Sequence, residues 1–273
     1  MLSEIAPVTI RALAFPAAAL LLALIAAAMG QSLRVPRRER LPLAITGLVL
    51  IFGFNVLTSL GQTLVETSKA AIVAYTMPAL TAGLAVVFLG ERLNAWLLIA
   101  LAVGMAGLAV LASEDFGALA AAPLGPAIMG GAALSWAIGN VALKMRVWST
   151  PPLAMSVWFF VASAALCWPL VLIFEPLPAQ TWWAQGGPSL AVLWTYAFHV
   201  LGPMVVCYVL WTVLLGRMPA TVAAIATLTA PVVGVTSSIL ILGDTPTWQK
   251  ALALAMIVAS IAMTLIPRLK SRK

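Results

Sequence analysis

A chain of 273 residues with 63% hydrophobic and only 8% charged residues cannot cover a soluble surface, because an ordinary soluble domain carries roughly 25% charged residues. The bilayer is the expected solvent. The net charge of +7 does not point to nucleic acid, since the basic residues are scattered through short loops between apolar runs instead of forming one patch.

Nine apolar runs meet the roughly 20 residues of helix that a bilayer core requires: about 8–30, 43–65, 70–90, 95–112, 126–146, 153–174, 191–215, 220–242 and 249–266. Helices are expected because each must satisfy its own backbone groups in lipid. The alternation of a β-barrel is missing from the sequence. The first run, entered through "APVTIRALAFPAAALL", is not preceded by a basic stretch, so no cleavable leader is expected. The loop "QSLRVPRRERLP" follows, with Arg34, Arg37, Arg38 and Arg40.

The second run carries Asn55, Thr58, Ser59 and Gln62, whose spacing sets them on one helical face. Such a stripe either glues helices together or lines a cavity, with Asn55 near the midplane. The third run places Tyr75 one turn before Pro78 and closes on Leu-Gly-Glu. Proline removes the bond to the carbonyl four residues back, so Pro78 frees that of Ala74 and, in the eighth run, Pro231 frees that of Thr227. Both prolines are candidate hinges. A static packing kink is the other reading. The fourth run offers Ala100 and Gly104, and the ninth Ala255 and Ala259, as small residues suited to close packing. Both runs are read as scaffold or as a dimer face.

The fifth run carries Ser135, Trp136 and Asn140, with Trp136 and Asn140 on one face. An indole at mid-depth needs an internal partner, and a cavity wall or the core can supply it. Cys167 in the sixth run and Cys207 in the seventh read as small buried hydrophobes, not a disulfide or a metal site. The seventh run holds His199, the chain's only histidine, and Trp211. His199 is either a neutral ring bonded to a hydroxyl or carbonyl, or a ligand or titrating group in a cavity. The tail "PRLKSRK" suits an anchor at anionic lipid.

Orientation follows from Lys and Arg. With the Arg34–Arg40 loop in the cytoplasm, that side also receives Arg92, Lys144, Arg146, Arg217, Arg268, Lys270, Arg272 and Lys273, twelve in all. The other side receives Arg11, Lys69 and Lys250. This asymmetry puts the C-terminus in the cytoplasm and suits a multi-pass protein of the cell inner membrane. Trp182, Trp183, Trp194 and Tyr196 would then mark the outer interface.

The third and eighth runs are two versions of one element. Pro78 and Gly90 are twelve apart, and so are Pro231 and Gly243. They are inserted in opposite directions, and the likeness extends outward: Pro7 matches Pro152, run 43–65 matches 191–215, and run 95–112 matches 249–266. This is an inverted-topology repeat, with units 1–115 and 126–267. The second unit has five spans and the first four, so either a helix before residue 1 is expected or a true nine-span protein whose gap a partner or a neighbouring copy fills. With the gap unfilled, polar groups such as Asn55 could meet lipid.

"AIVAYTMPALTAGLAVVFLGERL", "SWAIGNVALKMR" and "RMPATVAAIATLTAPVVGV" resemble the EamA type of the drug/metabolite transporter superfamily across nearly the whole chain. The resemblance implies ten helices in two five-helix halves and export of small metabolites, amino acids or drugs. It leaves the substrate open.

The expected protein is therefore all-α and polytopic, a secondary transporter and not an enzyme, with no cofactor and no metal. All eight acids lie in loops or at helix ends, which speaks against a carboxylate proton relay and an intramembrane hydrolase. Its partners would be a small-molecule substrate and the lipid bilayer, with a homodimer left open. The expected substrate site is Asn55, Gln62, Tyr75, Trp136, Asn140, His199 and Trp211. A polyanion is disfavoured because no buried Arg or Lys is expected. A lipid flippase or a substrate-free membrane assembly partner are the rival classes.

Overall fold

The computed structural model describes residues 4–65, 67–114, 117, 122–175 and 187–270. Glu66, Asp115, Trp182, Trp183, Arg272 and Lys273 lie outside them, and of Lys69, Arg268 and Lys270 only the backbone is described. All the described secondary structure is helical. Among the described residues, eight helices are long and apolar enough to cross a membrane, and Trp248–Thr264 is a shorter apolar one. The elements are α1 (Pro7–Ala28), α2 (Arg37–Leu64), α3 (Thr67–Ala74), α4 (Met77–Leu89), α5 (Ala95–Ala112), α6 (Leu124–Lys144), α7 (Pro152–Phe174), α8 (Leu190–Arg217), α9 (Ala220–Ala226), α10 (Thr229–Ser237) and α11 (Trp248–Lys270).

Local sequence explains the boundaries. Proline stands in the first turn of α1, α4 and α7, where its missing N–H costs nothing. Asn94 and Ser189 accept from Leu97 N and Val192 N to cap α5 and α8. Gly90 (φ 63°, ψ 25°) and Gly243 (φ 73°, ψ 23°) are left-handed, the conformation that ends a helix and that a side chain resists.

The repeat is sharper in the structure than in the sequence. From α2 onward the two halves match at a constant offset of 153: 37 and 190, 64 and 217, 67 and 220, 90 and 243, 95 and 248. The π-helical segment Leu48–Gly53 inside α2 has its counterpart in Val200–Cys207 inside α8. The offset is already present in the sequence pairs Pro78 with Pro231 and Gly90 with Gly243; the π-helical segments are not anticipated there. Prolines Pro78 and Pro231 do more than bend a helix. The chain breaks at Tyr75–Thr76 and at Thr227–Leu228, splitting one span into α3 and α4 and its counterpart into α9 and α10. The Thr227 carbonyl is not free, since Ala230 N donates to it at 3.0 Å.

Matched helices pack on one another, α1 on α7 and α5 on α11. The α5–α11 seam uses Ala100, Gly104 and Gly107 against Ala253, Met256, Ile257 and Ser260, whose hydroxyl donates to Ala100 O at 2.6 Å. Ala255 and Ala259 are exposed on the far side, so the small pair expected on α11 is not the packing pair. The unmatched α6 lies against α2, α3 and α4. Gly139 makes that approach close, because a Cβ there would stand 2.6 Å from Leu50 Cα. Asn55 does not face lipid; it is 4% exposed.

Candidate functional site

Two groups of side chains meet where the halves face each other. The first is aromatic. Trp136 of α6 lies 4.9 Å from Phe54, 5.3 Å from Trp211 and 6.0 Å from Tyr208, centroid to centroid. Tyr208 meets Phe160 edge-on at 5.4 Å, and Phe160 meets Phe15 at 5.8 Å. Trp211 Nε1 donates to Asn140 Oδ1 at 2.8 Å. Asn55 Nδ2 donates to Tyr208 Oη at 2.8 Å and to Ile51 O at 2.8 Å. Asn55 and Tyr208 are equivalent positions of the repeat, 153 apart. Phe15 and Phe160 are also equivalent, at the offset of 145 set by Pro7 and Pro152. The midline is thus built by each half touching its own counterpart.

The π-helical segment explains how α2 presents this face. Side chains bond its backbone carbonyls. Ser135 Oγ donates to Val49 O at 2.6 Å, and the Asn55 amide donates to Ile51 O, which also accepts from Phe54 N. Trp136 Nε1 and Asn140 Nδ2 are buried and have no partner among the described residues. The internal partner expected for the indole is therefore missing; rings surround it instead.

The second group lies about one helical turn along α2, since Ser59 is four residues from Asn55, roughly 6 Å. Arg11 Nε donates to Ser59 Oγ at 2.7 Å, and Arg11 Nη1 donates to His199 Nε2 at 2.6 Å. Arg11 is 7% exposed. The sequence counts Arg11 among the outer-side charges and expects no buried Arg; the structure instead buries it inside α1. A guanidinium has no acceptor, so Nε2 accepts and His199 carries its proton on Nδ1. Its partner is a cation, neither a hydroxyl nor a carbonyl.

Of the expected site residues, Asn55, Trp136, Asn140 and Trp211 come together, and His199 joins Arg11. Gln62 and Tyr75 are half-buried and stand in neither group, although Tyr75 packs against the core. Thr58 turns back to Phe54 O of its own helix. Asn55, Trp136 and Asn140 are packed against neighbours instead of facing an open cavity. The sequence reading missed Tyr208 and Arg11. Tyr208 had a signal, since the offset of 153 pairs it with Asn55.

The acids act as staples. Glu175 accepts from Val8 N, Thr9 N and Thr9 Oγ1 at 2.7–2.8 Å, at the start of α1. Glu4 accepts from Ser189 N and Oγ at the start of α8, which holds its carboxyl below the ordinary range. At the opposite end, Glu39 accepts from the N–H and hydroxyl of both Ser149 and Thr150, ahead of α7. Glu91 accepts from Ala220 N at 2.6 Å and from Thr221 at the start of α9. Each carboxylate meets the positive end of a helix belonging to the other half. Glu91, the acid that closes the third run, thus anchors α9.

A profile of the EamA-like transporter family matches residues 1–113 and again residues 124–266. The chain belongs to the EamA-like transporter family. Uncharacterized transporter YoaV of Bacillus subtilis (strain 168) is 26% identical over 189 residues, 69% of this chain and 63% of that protein. A probable amino-acid metabolite efflux pump of Escherichia coli (strain K12) is 28% identical over 183 residues, 63% of this chain and 58% of that protein. The matched region thus spans less than two thirds of either relative. A solved crystal structure superposes with a TM-score of 0.77 at 22% identity, covering 96% of this chain and 88% of that one. That likeness concerns the fold alone. For an EamA-like transporter, a multi-pass membrane protein, the natural place to seek the substrate is the midline where the halves meet.

Proposed function

We propose that this protein is a secondary exporter of small amphipathic metabolites, amino acids or drugs. It works by alternating access between its two inverted halves, in an inner membrane with the C-terminus in the cytoplasm. The observation that carries this reading is the pairing of equivalent positions across the midline, Asn55 with Tyr208 and Phe15 with Phe160. Two halves that touch through their own counterparts can exchange conformations, and the exchange moves an opening from one end to the other.

The staples suit this cycle. Glu175 and Glu4 tie the halves at one end, Glu39 and Glu91 at the other. Opening at either end requires its pair to release. A helix N-terminus and a carboxylate can each rehydrate at the surface, so such contacts can open at modest cost. The efflux function in the name of the Escherichia coli relative supports an outward direction. Transport by purified protein in liposomes, against a panel of amino acids, organic acids and cationic drugs with pH and potential varied, tests the proposal. Saturable flux of one class is expected. Failure to move any class would favour a lipid flippase or an assembly partner.

A further inference from the structure

Resting on the transporter reading, we propose that Arg11 is the anchor for a carboxylate group of the transported molecule, with the aromatic midline, packed closed in this structure, receiving its apolar body when the halves part. Arg11 lies inside α1 and is pinned by residues of two other helices, Ser59 of α2 and His199 of α8. An arginine so near a helix end has the length to reach water. This one is drawn inward instead, to 7% exposure.

No carboxylate lies within ion-pair distance of Arg11 among the described residues; Glu175, bound to Val8 and Thr9 of the same helix, is spent on those groups. The ion pair described is Arg38 with Glu39, at 4.0 Å, and Glu39 also binds Ser149 and Thr150. The other described acids are engaged elsewhere: Glu4, Glu91 and Glu175 with helix starts, Glu114 with Thr247 and Asp244 with Ser238. Both groups that hold Arg11 are neutral. They occupy Nε and one N–H of Nη1, and the remaining N–H groups have no acceptor among the described residues.

The repeat supplies a control within the molecule. At the offset set by Pro7 and Pro152, Arg11 corresponds to Ser156, and Ser59 corresponds to Thr212. In the second half that contact is made by Ser156 Oγ and Thr212 Oγ1, two hydroxyls 3.5 Å apart. The helix crossing therefore does not need a guanidinium. Charged residues within a membrane span are costly and are kept where they do something.

A guanidinium fork matches a carboxylate with two parallel bonds. One arginine, with no lysine beside it among its bonded partners, balances a single negative charge. That favours a monocarboxylate or the carboxylate of a zwitterion over a phosphate dianion. About one turn deeper lie Asn55, Tyr208 and Trp136, which offer rings and the unpartnered Trp136 Nε1 and Asn140 Nδ2.

The test uses the full chain in detergent and in liposomes. Calorimetry compares phenylacetate, 3-phenylpropionate and hexanoate with their uncharged amides, and with inorganic phosphate. At least one carboxylate should bind at least about tenfold tighter than its amide, the usual scale for one charge-assisted contact. Arg11→Ser copies the second half and should fold, with the preference reduced to within about twofold. Arg11→Lys should fall between. Equal binding of acid and amide by the wild type, no binding of any carboxylate, tighter binding of phosphate, or a preference kept in Arg11→Ser would each overturn the anchor. If Arg11→Ser fails to fold, the acid-to-amide ratio in the wild type and in Arg11→Lys still decides. Flux separates this inference from the reading beneath it. Transport without any preference for acids overturns the anchor and leaves the transporter. Arg11-dependent binding with no flux of any ligand supports the anchor and overturns the transporter.

Discussion

Trp136 combines three ring contacts with a buried donor that has no partner among the described residues. Its ring touches Phe54, Tyr208 and Trp211. Trp136→Phe keeps a ring and removes an unsatisfied donor, so unfolding in a denaturing-detergent titration should shift by less than about 1 kcal/mol. Trp136→Ala empties a buried site and should cost about 3–5 kcal/mol. Tyr208→Phe removes the bond from Asn55, whose amide still has Ile51 O, and should cost about 0.6 kcal/mol, the average for such bonds in membranes. A loss several times larger would mean the pair holds the halves together. Asn55, Trp136, Asn140, Trp211 and His199 were legible because a polar or ring-bearing residue stands out in an apolar run. Arg11 was not. It lies near the start of a span, where an arginine ordinarily reaches water, and its inward turn depends on Ser59 and His199, 48 and 188 residues away.

Elements carry the repeat. The broken spans α3–α4 and α9–α10 hold Pro78 and Pro231 just after the break; α4 stops on left-handed Gly90, and α10 runs on through the π-helical Ser238–Leu242 to left-handed Gly243. Leucine at either proline would permit a continuous helix. Stopped-flow transport by Pro78→Leu and Pro231→Leu should show slower exchange between open states; unchanged kinetics in both would make the breaks packing features. Close helix approach gives a second prediction. Gly139→Ala drives a methyl against the Leu50 backbone and should destabilise by about 1–3 kcal/mol, whereas Gly130→Ala meets nothing within 4 Å and should not. The two can be compared in one detergent-unfolding series. The proline spacing was visible in the sequence because proline and glycine punctuate structure whatever their surroundings. The π segments were not, since "LVLIFG" and "VLGPMVVC" are ordinary apolar stretches. Their extra residue is stabilised by partners such as Ser135, 86 positions from Val49.

At the scale of the molecule, composition set the solvent, and the length of the apolar runs set the number of spans. Both are summed properties that survive errors at single residues. The contacts between halves were not legible, because every staple joins distant residues: Glu175 to Val8, Glu39 to Thr150, Glu91 to Ala220. These contacts bear on the central claim, that the two halves open at one end while closing at the other. Its most direct test is flux through a protein locked at each end in turn. Cysteines replace Thr9 and Glu175 at one end, or Glu39 and Thr150 at the other, after Cys167 and Cys207 are changed to alanine. A short cleavable thiol cross-linker then ties each pair. Cross-linking either pair should abolish flux, and cleaving the linker should restore it. Undiminished flux with either pair fully cross-linked would contradict alternating access.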